Sequence, residues 1–529
     1  MPSLNCTFYG GALVLLALLW NAPAIAQETP EPFLTPEQRA EEVDFIVRQI
    51  DSVYVYGRRG LSDSAWDARV RYIHRRAADA RNLNEYYYAL RYMGLLISDA
   101  HFEFPNGGYY NRHRLFQPTD TLFPLFTRAW HDGRTYVVRD YSEHLPKNAR
   151  LLRINGLSVD TMACLLNAIP SGEREARGYG KHNPLSTQWQ YSLMNHLFME
   201  GIRAPFRVEY TLPGSTRIDT VTLAGMTRET LHKKYKKLDQ PKGDNLWSLF
   251  FGSKTFRYKR FDEHSALLTF NSFWGENMLA LLLFNRDRNY PRRLKRVMTR
   301  IDRHDIDTLV IDISRNGGGM TQNVYQTLNY LTDRPVDANA AYRVTDHNRG
   351  KIKTLLENRD DELFGITPEQ KTRLIAAVDS IPSGSFLETN NLCNYTYRPD
   401  STLKHRFHGT LYLLTGYGTY SAAQLFAQYF RELGLGKTAG QHCGGYGSIS
   451  GGNSAQVPLP YSSFHLNIPY ATLRNDVHAP RFGFDSVNIP FSDEPTFEEW
   501  YNEEKPRDWR NAFIDWLREQ RTASNNTLD

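Results

Sequence analysis

The run Thr419-Tyr420-Ser421-Ala422-Ala423-Gln424 puts a hydroxyl where a strand gives way to a helix. Thr410 to Thr415 is a compact apolar run of strand length and Gly416-Tyr417-Gly418 a flexible turn. Ser421 to Leu433 then carries Ala422, Leu425, Phe426 and Tyr429 on one helical side. The first turn of a helix offers N–H groups without intrahelical acceptors, and the helix dipole favours negative charge there, so an oxyanion formed at Ser421 would be stabilised. Nucleophilic catalysis is one role for this serine; a plain helix N-cap is the other, because serine is a preferred cap. Upstream, Ile311-Asp312-Ile313-Ser314-Arg315-Asn316-Gly317-Gly318-Gly319 sets three glycines directly after a buried strand. Such a turn brings backbone N–H groups close to a ligand, as half of an oxyanion hole, or is simply tight. It lacks the Gly-Lys-Ser/Thr ending of a phosphate-binding loop and the G-x-G-x-x-G dinucleotide pattern.

Asp312 to Gly319, the Ser421-Ala422-Ala423 helix start and Gly440-Gln441-His442-Cys443-Gly444-Gly445 resemble, in order and spacing, the core of the tail-specific (C-terminal-processing) serine proteases. Asp99-Ala100-His101 looks like that family's Asp-Gly-His motif, and Ile154-Asn155-Gly156 stands where its PDZ-like domain would be. The resemblance implies an α/β catalytic domain with a ClpP/crotonase-like sheet and flanking helices, preceded by a small helical bundle and a PDZ-like β-rich domain. It also implies hydrolysis of polypeptides without a cofactor. In the processing-protease branch a lysine twenty-five residues after the serine is the base, and Tyr446 stands there in this chain. The tricorn-core-like branch uses the histidine instead, which matches His101. An imidazole, whose ordinary pKa is about 6.5, suits proton transfer near neutrality. By resemblance Ser421 is then the nucleophile, His101 the general base, and the Gly318 and Ala422 N–H groups the oxyanion donors. Two departures remain: Ala100 replaces the branch's serine, and Asp476 to Ile489 contains no glutamate to orient the histidine. Asp99 and Ser98 are the local candidates for that task. The departures motivate a rival function, a secreted peptide- or ligand-binding protein on the same scaffold. An acyl-CoA enzyme shares the sheet architecture but does not fit an exported chain.

The elements that must position these residues are legible in outline. Thr35-Pro36-Glu37-Gln38 is a capping box, and Val43, Ile46, Val47 and Ile50 follow at helical spacing. Two more helices follow, one carrying Trp66, Val70 and Ile73, the other running from Asn82 to Leu96. Short β-rich pieces occupy the next hundred residues, with Arg150 to Gly156 a strand entering a tight turn. Ser265 to Phe270, Thr308 to Ile313 and Thr410 to Thr415 are buried-strand runs with amphipathic segments between them, the pattern of a mostly parallel sheet covered by helices. Thr367-Pro368-Glu369-Gln370 is a second capping box, and Asp508 to Gln520 a closing amphipathic helix. The expected boundaries are residues 1–26 signal peptide, 28–108 helical bundle, 109–223 PDZ-like domain, 224–258 connector and 259–522 catalytic domain.

Ala12 to Trp20 is too short an apolar run to cross a bilayer, which takes about 20 residues, and Ala24-Ile25-Ala26 has the small-x-small pattern of a cleavage site. The expectation is export to the periplasm or exterior, with no integral membrane segment once the leader is removed. A formal charge of +5 over 529 residues is too mild to argue for nucleic acid, and the Lys233-Lys234-Tyr235-Lys236-Lys237 cluster suits a solvated face. Cys164, Cys393 and Cys443 are too few and too far apart for a disulfide framework, and none has zinc spacing, so no metal is expected.

Overall fold

The computed structural model describes residues 33–58, 61–97, 99, 101–102, 121–129, 134–162, 193, 196–236, 256–274, 289–359, 361–416, 418–441, 443, 453–473, 487–490 and 509–526. The expected leader, Ser98, Ala100, Cys164, His442, Tyr446 and Asp476 lie outside these residues. Among them, no helix is long and apolar enough to cross a membrane.

Thr35 opens α1 (Pro36–Val53) with the reciprocal capping box: the Gln38 N–H donates to Thr35 Oγ1 at 3.2 Å and the Thr35 N–H donates to Gln38 Oε1 at 2.9 Å. Val43, Ile46 and Ile50 are buried, as their spacing requires. Ser62 caps α2 (Asp63–Ala78), and Asn82 caps α3 (Leu83–Leu90) by accepting the Glu85 N–H. The third helix stops short of Leu96, tightening into a 3₁₀ turn over Arg91–Leu95, a common way for a helix to close. Tyr92 of that turn meets His196 Nδ1 through its hydroxyl at 2.7 Å. Burial, and secondarily the Arg76 guanidinium, holds the His196 imidazole down to about 4 from its ordinary 6.5. Unfolded chains therefore take up this proton first as pH falls. The stability this neutral histidine confers is present above pH 6.5 and is lost between 6.5 and about 4, by roughly 3 kcal/mol. Urea midpoints measured across that window should fall in the native chain and fall less in His196→Gln.

An antiparallel sheet follows: β1 (Leu125–Ala129), β2 (Thr135–Asp140), β3 (Arg150–Ile154), β4 (Leu157–Ser158), β5 (Phe206–Thr211) and β6 (Ile218–Leu223). Its order is β1-β2-β3-β5-β6, with β4 folded back on β3. Asn155 and Gly156, at φ 46° and 85°, make the two-residue turn that the Ile-Asn-Gly sequence predicts. The expected connector, 224–258, is more structured than its polar composition implied. Met226–Thr227 pairs with Thr121–Leu122, α4 (Arg228–Lys236) follows, and β7 (Phe256–Arg260) already belongs to the main sheet.

That sheet is completed by β8 (Ser265–Phe270), α5 (Asn289–Arg303), β9 (Thr308–Asp312), α6 (Thr321–Leu328), the insert helices α7 (Arg349–Glu357) and α8 (Pro368–Ser380), then β10 (Thr410–Thr415), α9 (Ala422–Glu432) and β11 (Lys437–Gly440). After a hairpin, β12 (Ser454–Pro458) and β13 (His465–Pro469), come β14 (Ile489–Pro490) and α10 (Trp509–Asn526). Strand order is β14-β11-β10-β9-β8-β7, parallel except for β7 against β8. Alternate residues of the central strands face opposite layers: Leu309, Ile311 and Leu413 join the main core, while Val310 and Leu414 pack under Phe513, Ile514 and Leu517 of α10. Burial on both faces is why these strands read as continuous apolar runs. Cys393 and Cys443 are buried thiols.

Candidate active site

Parallel strands deliver their C-terminal ends to one edge of the sheet, and the turns after β9 and β10 meet there. Thr419 bolts them together: its Oγ1 donates to the Ile313 carbonyl at 2.9 Å and accepts the Gly416 N–H at 3.1 Å. The Tyr420 N–H donates to the Asn316 carbonyl at 3.0 Å. Beneath the first turn, Asp312 is 2% exposed, accepts both the N–H and the hydroxyl of Ser314, and pairs with Arg510 of α10 at 3.3 Å.

Ser421 occupies the N-cap position of α9 but does not act as a cap. Its side chain makes no capping bond, and its backbone sits at φ 49°, ψ −124°, a region that costs a residue with a Cβ about 1–3 kcal/mol. Its Oγ lies 3.4 Å from Nε2 of His101. His101 Nδ1 in turn lies 3.2 Å from Asp99 Oδ1, which also accepts the His101 N–H at 2.9 Å. With Nδ1–H donated to the carboxylate, the Nε2 lone pair faces the serine hydroxyl. Asp99 is 4% exposed, and the Tyr54 hydroxyl donates to its other oxygen at 3.4 Å. Three residues from chain segments some 320 positions apart thus stand in one line.

The glycine turn lies directly against this serine. At Gly318, φ is 107° and an added Cβ would sit 2.7 Å from Ser421 Cβ and 2.8 Å from the Tyr420 carbonyl oxygen. Gly318→Ala should therefore cost about 1–3 kcal/mol of stability and at least ~10²-fold in kcat/KM, whereas Gly317→Ala, with open space around it, should be near neutral. Urea midpoints and peptide turnover on the two variants check this. The expected donors differ from one another. The Ala422 N–H has no acceptor among the described residues, but the Gly318 N–H is directed at Asn316 Oδ1, 2.9 Å away.

Lys437, sixteen residues after Ser421, begins β11, exposed and paired with Tyr412. The site end of that strand is Gly440, paired with Thr415, so Lys437 stands about 10 Å down the strand from the serine's edge. It is not in place to act on Ser421. Sequence alone did not single out Tyr54, Asn316 or Thr419. No local pattern marks Tyr54, and although Asn316 and Thr419 stand inside the quoted runs, their bonds between the two turns depend on the fold.

A hydroxyl on a strained turn above a mostly parallel sheet, backed by a histidine and a buried carboxylate, is the equipment of a serine-type peptidase. Residues 264–470 match Peptidase family S41, a match that supports a serine-type peptidase. No curated protein matches the chain in sequence. Among solved structures it is similar to mature CPAF complexed with lactacystin, at 13% identity over 86% of this chain and 94% of that one, TM-score 0.48. It is also similar to the photosystem II D1 C-terminal processing protease, at 12% identity over 85% and 92%, TM-score 0.37. A putative S41 protease from Bacteroides fragilis aligns at 11% identity over 76% and 85%, TM-score 0.30. Superpositions this loose leave mechanism to the chain's own residues.

Proposed function

We propose that this is an exported peptidase that cuts polypeptides internally or trims their carboxy ends through an acyl-enzyme on Ser421. His101 serves as general base and Asp99 orients it. The observation that carries this is the Ser421–His101–Asp99 line, assembled across some 320 residues. As Ser421 Oγ bonds to the scissile carbonyl carbon, His101 Nε2 takes its proton, and the carbonyl oxygen becomes an oxyanion beside the Ala422 N–H. The Gly318 N–H joins by leaving Asn316 Oδ1. Collapse breaks the C–N bond, and His101 passes its proton to the departing amine. Water then attacks the ester, with His101 again as base, releasing the acid and restoring the serine hydroxyl.

In this scheme the base is a histidine, as in the tricorn-core-like branch, and residues 1–26 are a leader removed on export. The antiparallel sheet of β1 to β6, which lies within residues 109–223, is the PDZ-like module, which would hold a substrate segment by strand addition. A fluorophosphonate probe should label Ser421 in the native chain, with the adduct located by peptide mass mapping. Neither Ser421→Ala nor a heat-unfolded sample should label. A second function, peptide binding without turnover, draws support from the Gly318 N–H being bound to Asn316. A native chain that neither labels nor cleaves would select it.

A further inference from the structure

The opposite face of α5 from the core is almost wholly cationic. Tyr290, Leu294, Met298 and Ile301 are buried, while Arg292, Lys295, Arg296, Arg300 and Arg303 are exposed along the other side. Beside them runs β7, an outer strand in the sheet order, with Arg257 facing the same groove and Lys259 and Arg260 also exposed. The groove between them has a volume of about 1370 Å³, above the roughly 300–1,000 Å³ of small-molecule sites. Charged side chains on an outer strand are a common guard against edge-to-edge association, and that accounts for β7. It does not account for a facing helix whose turns stack Arg292, Arg296 and Arg300 at i, i+4 spacing, where like charges repel. Among the described residues none of these three, nor Lys295, Arg303 or Arg257, has an ion-pair partner, and the one acid on α5, Asp302, is taken by His405 at 2.6 Å.

We propose that this groove is an exosite for an acidic, extended stretch of polypeptide substrate; the inference rests on the peptidase function proposed above. From Arg292 to Arg303 is about 16 Å along the helix, the length of roughly five residues of extended chain. One end lies on the side of the catalytic edge: Phe256, which lines the groove, pairs with Phe270 at the end of β8, and Phe273, just beyond, bridges to Gly319. A substrate segment lying in the groove is thereby led towards the glycine turn. Single-stranded nucleic acid would want exposed aromatic faces for its bases. The Tyr258 ring is instead covered by Arg300 at 4.9 Å, and its hydroxyl is engaged by His304 at 2.8 Å. A membrane surface would want the apolar face of α5, which is buried in the core.

Full-length Ser421→Ala protein is titrated with a fluorescein-labelled poly-glutamate peptide and with poly-glutamine of the same length, so the result does not depend on turnover. Binding of the acidic peptide should be at least about tenfold tighter and weaken with salt. Arg292→Glu/Arg296→Glu/Arg300→Glu should erase the preference, while Lys351→Glu on α7 keeps it; thermal melts confirm that both variants are folded. In the native chain, appending the acidic run to a cleavable peptide should lower KM with kcat unchanged. Equal binding of the two peptides, a preference surviving in the triple variant, or tighter binding of single-stranded DNA or anionic vesicles than of poly-glutamate would each overturn the proposal.

Discussion

Ser421→Ala should slow cleavage of an unstructured peptide by roughly 10⁴- to 10⁶-fold, and His101→Ala should do about the same. Without the Oγ there is no acyl-enzyme, and without the imidazole the hydroxyl keeps its proton. Because the two act as one unit, the double variant should be no slower than either single one, the sign of a shared step. Asp99→Asn should cost less, roughly 10²- to 10⁴-fold in kcat, with KM little changed. The buried carboxylate would act only through His101, by setting which ring nitrogen carries the proton. Single-turnover rates on the four proteins decide the matter. Multiplicative losses in the double variant, or a His101→Ala chain that still cleaves at the native rate, would remove the histidine from the mechanism.

The parts of this site that were legible in the sequence are those whose signal is local. The capping boxes at Thr35 and Thr367 are complete within four residues, and both form. The apolar runs at Ser265, Thr308 and Thr410 announce strands because both of their faces are buried. By contrast β7 alternates Phe256 and Tyr258 with Arg257 and Lys259, half apolar, and its lysine-rich surroundings hid a genuine period of two. The cationic stripe of α5 was likewise diluted, because its basic residues are interleaved with the core positions of the same helix.

At the serine, sequence and structure part for a different reason. Strand, turn and small residues predict a helix N-cap, and the helix begins where expected. The left-handed φ of Ser421 is imposed from outside, by Gly318 packed against its Cβ and by Asn316 holding the Tyr420 N–H. A residue held in that conformation by a distant turn is a tertiary fact. The same applies to the Gly318 N–H. Three glycines foretold N–H groups aimed at a ligand, but whether Asn316 would hold one of them depended on a side-chain rotamer that the fold sets.

Docking of the helical segment should also control the rate, and Glu42 is where this can be tested. Its carboxylate is fully buried, and Oε2 accepts the N–H groups of Tyr461 at 2.8 Å and Ser462 at 2.9 Å, in the turn between β12 and β13. Around it the Val55 N–H donates to the Pro469 carbonyl at 3.1 Å, Arg343 donates to the Tyr54 carbonyl at 2.8 Å, and Tyr87 meets Phe464 edge to face at 5.2 Å. Tyr54, held in this clasp, is the residue whose hydroxyl reaches Asp99. Glu42→Ala would leave the buried Ser462 N–H without an acceptor, at about 1–3 kcal/mol, and would free the part-buried Tyr461 N–H as well. Glu42→Gln, which keeps one carbonyl oxygen, should lose less than half of that. Since His101 comes from the docked segment, Glu42→Ala should lower kcat by at least ~10-fold at a temperature where the catalytic sheet is still folded. Partial proteolysis should then release the segment around residues 33–102 first. Native kcat in a Glu42→Ala chain whose urea midpoint has clearly fallen would show that the histidine reaches Ser421 without this contact.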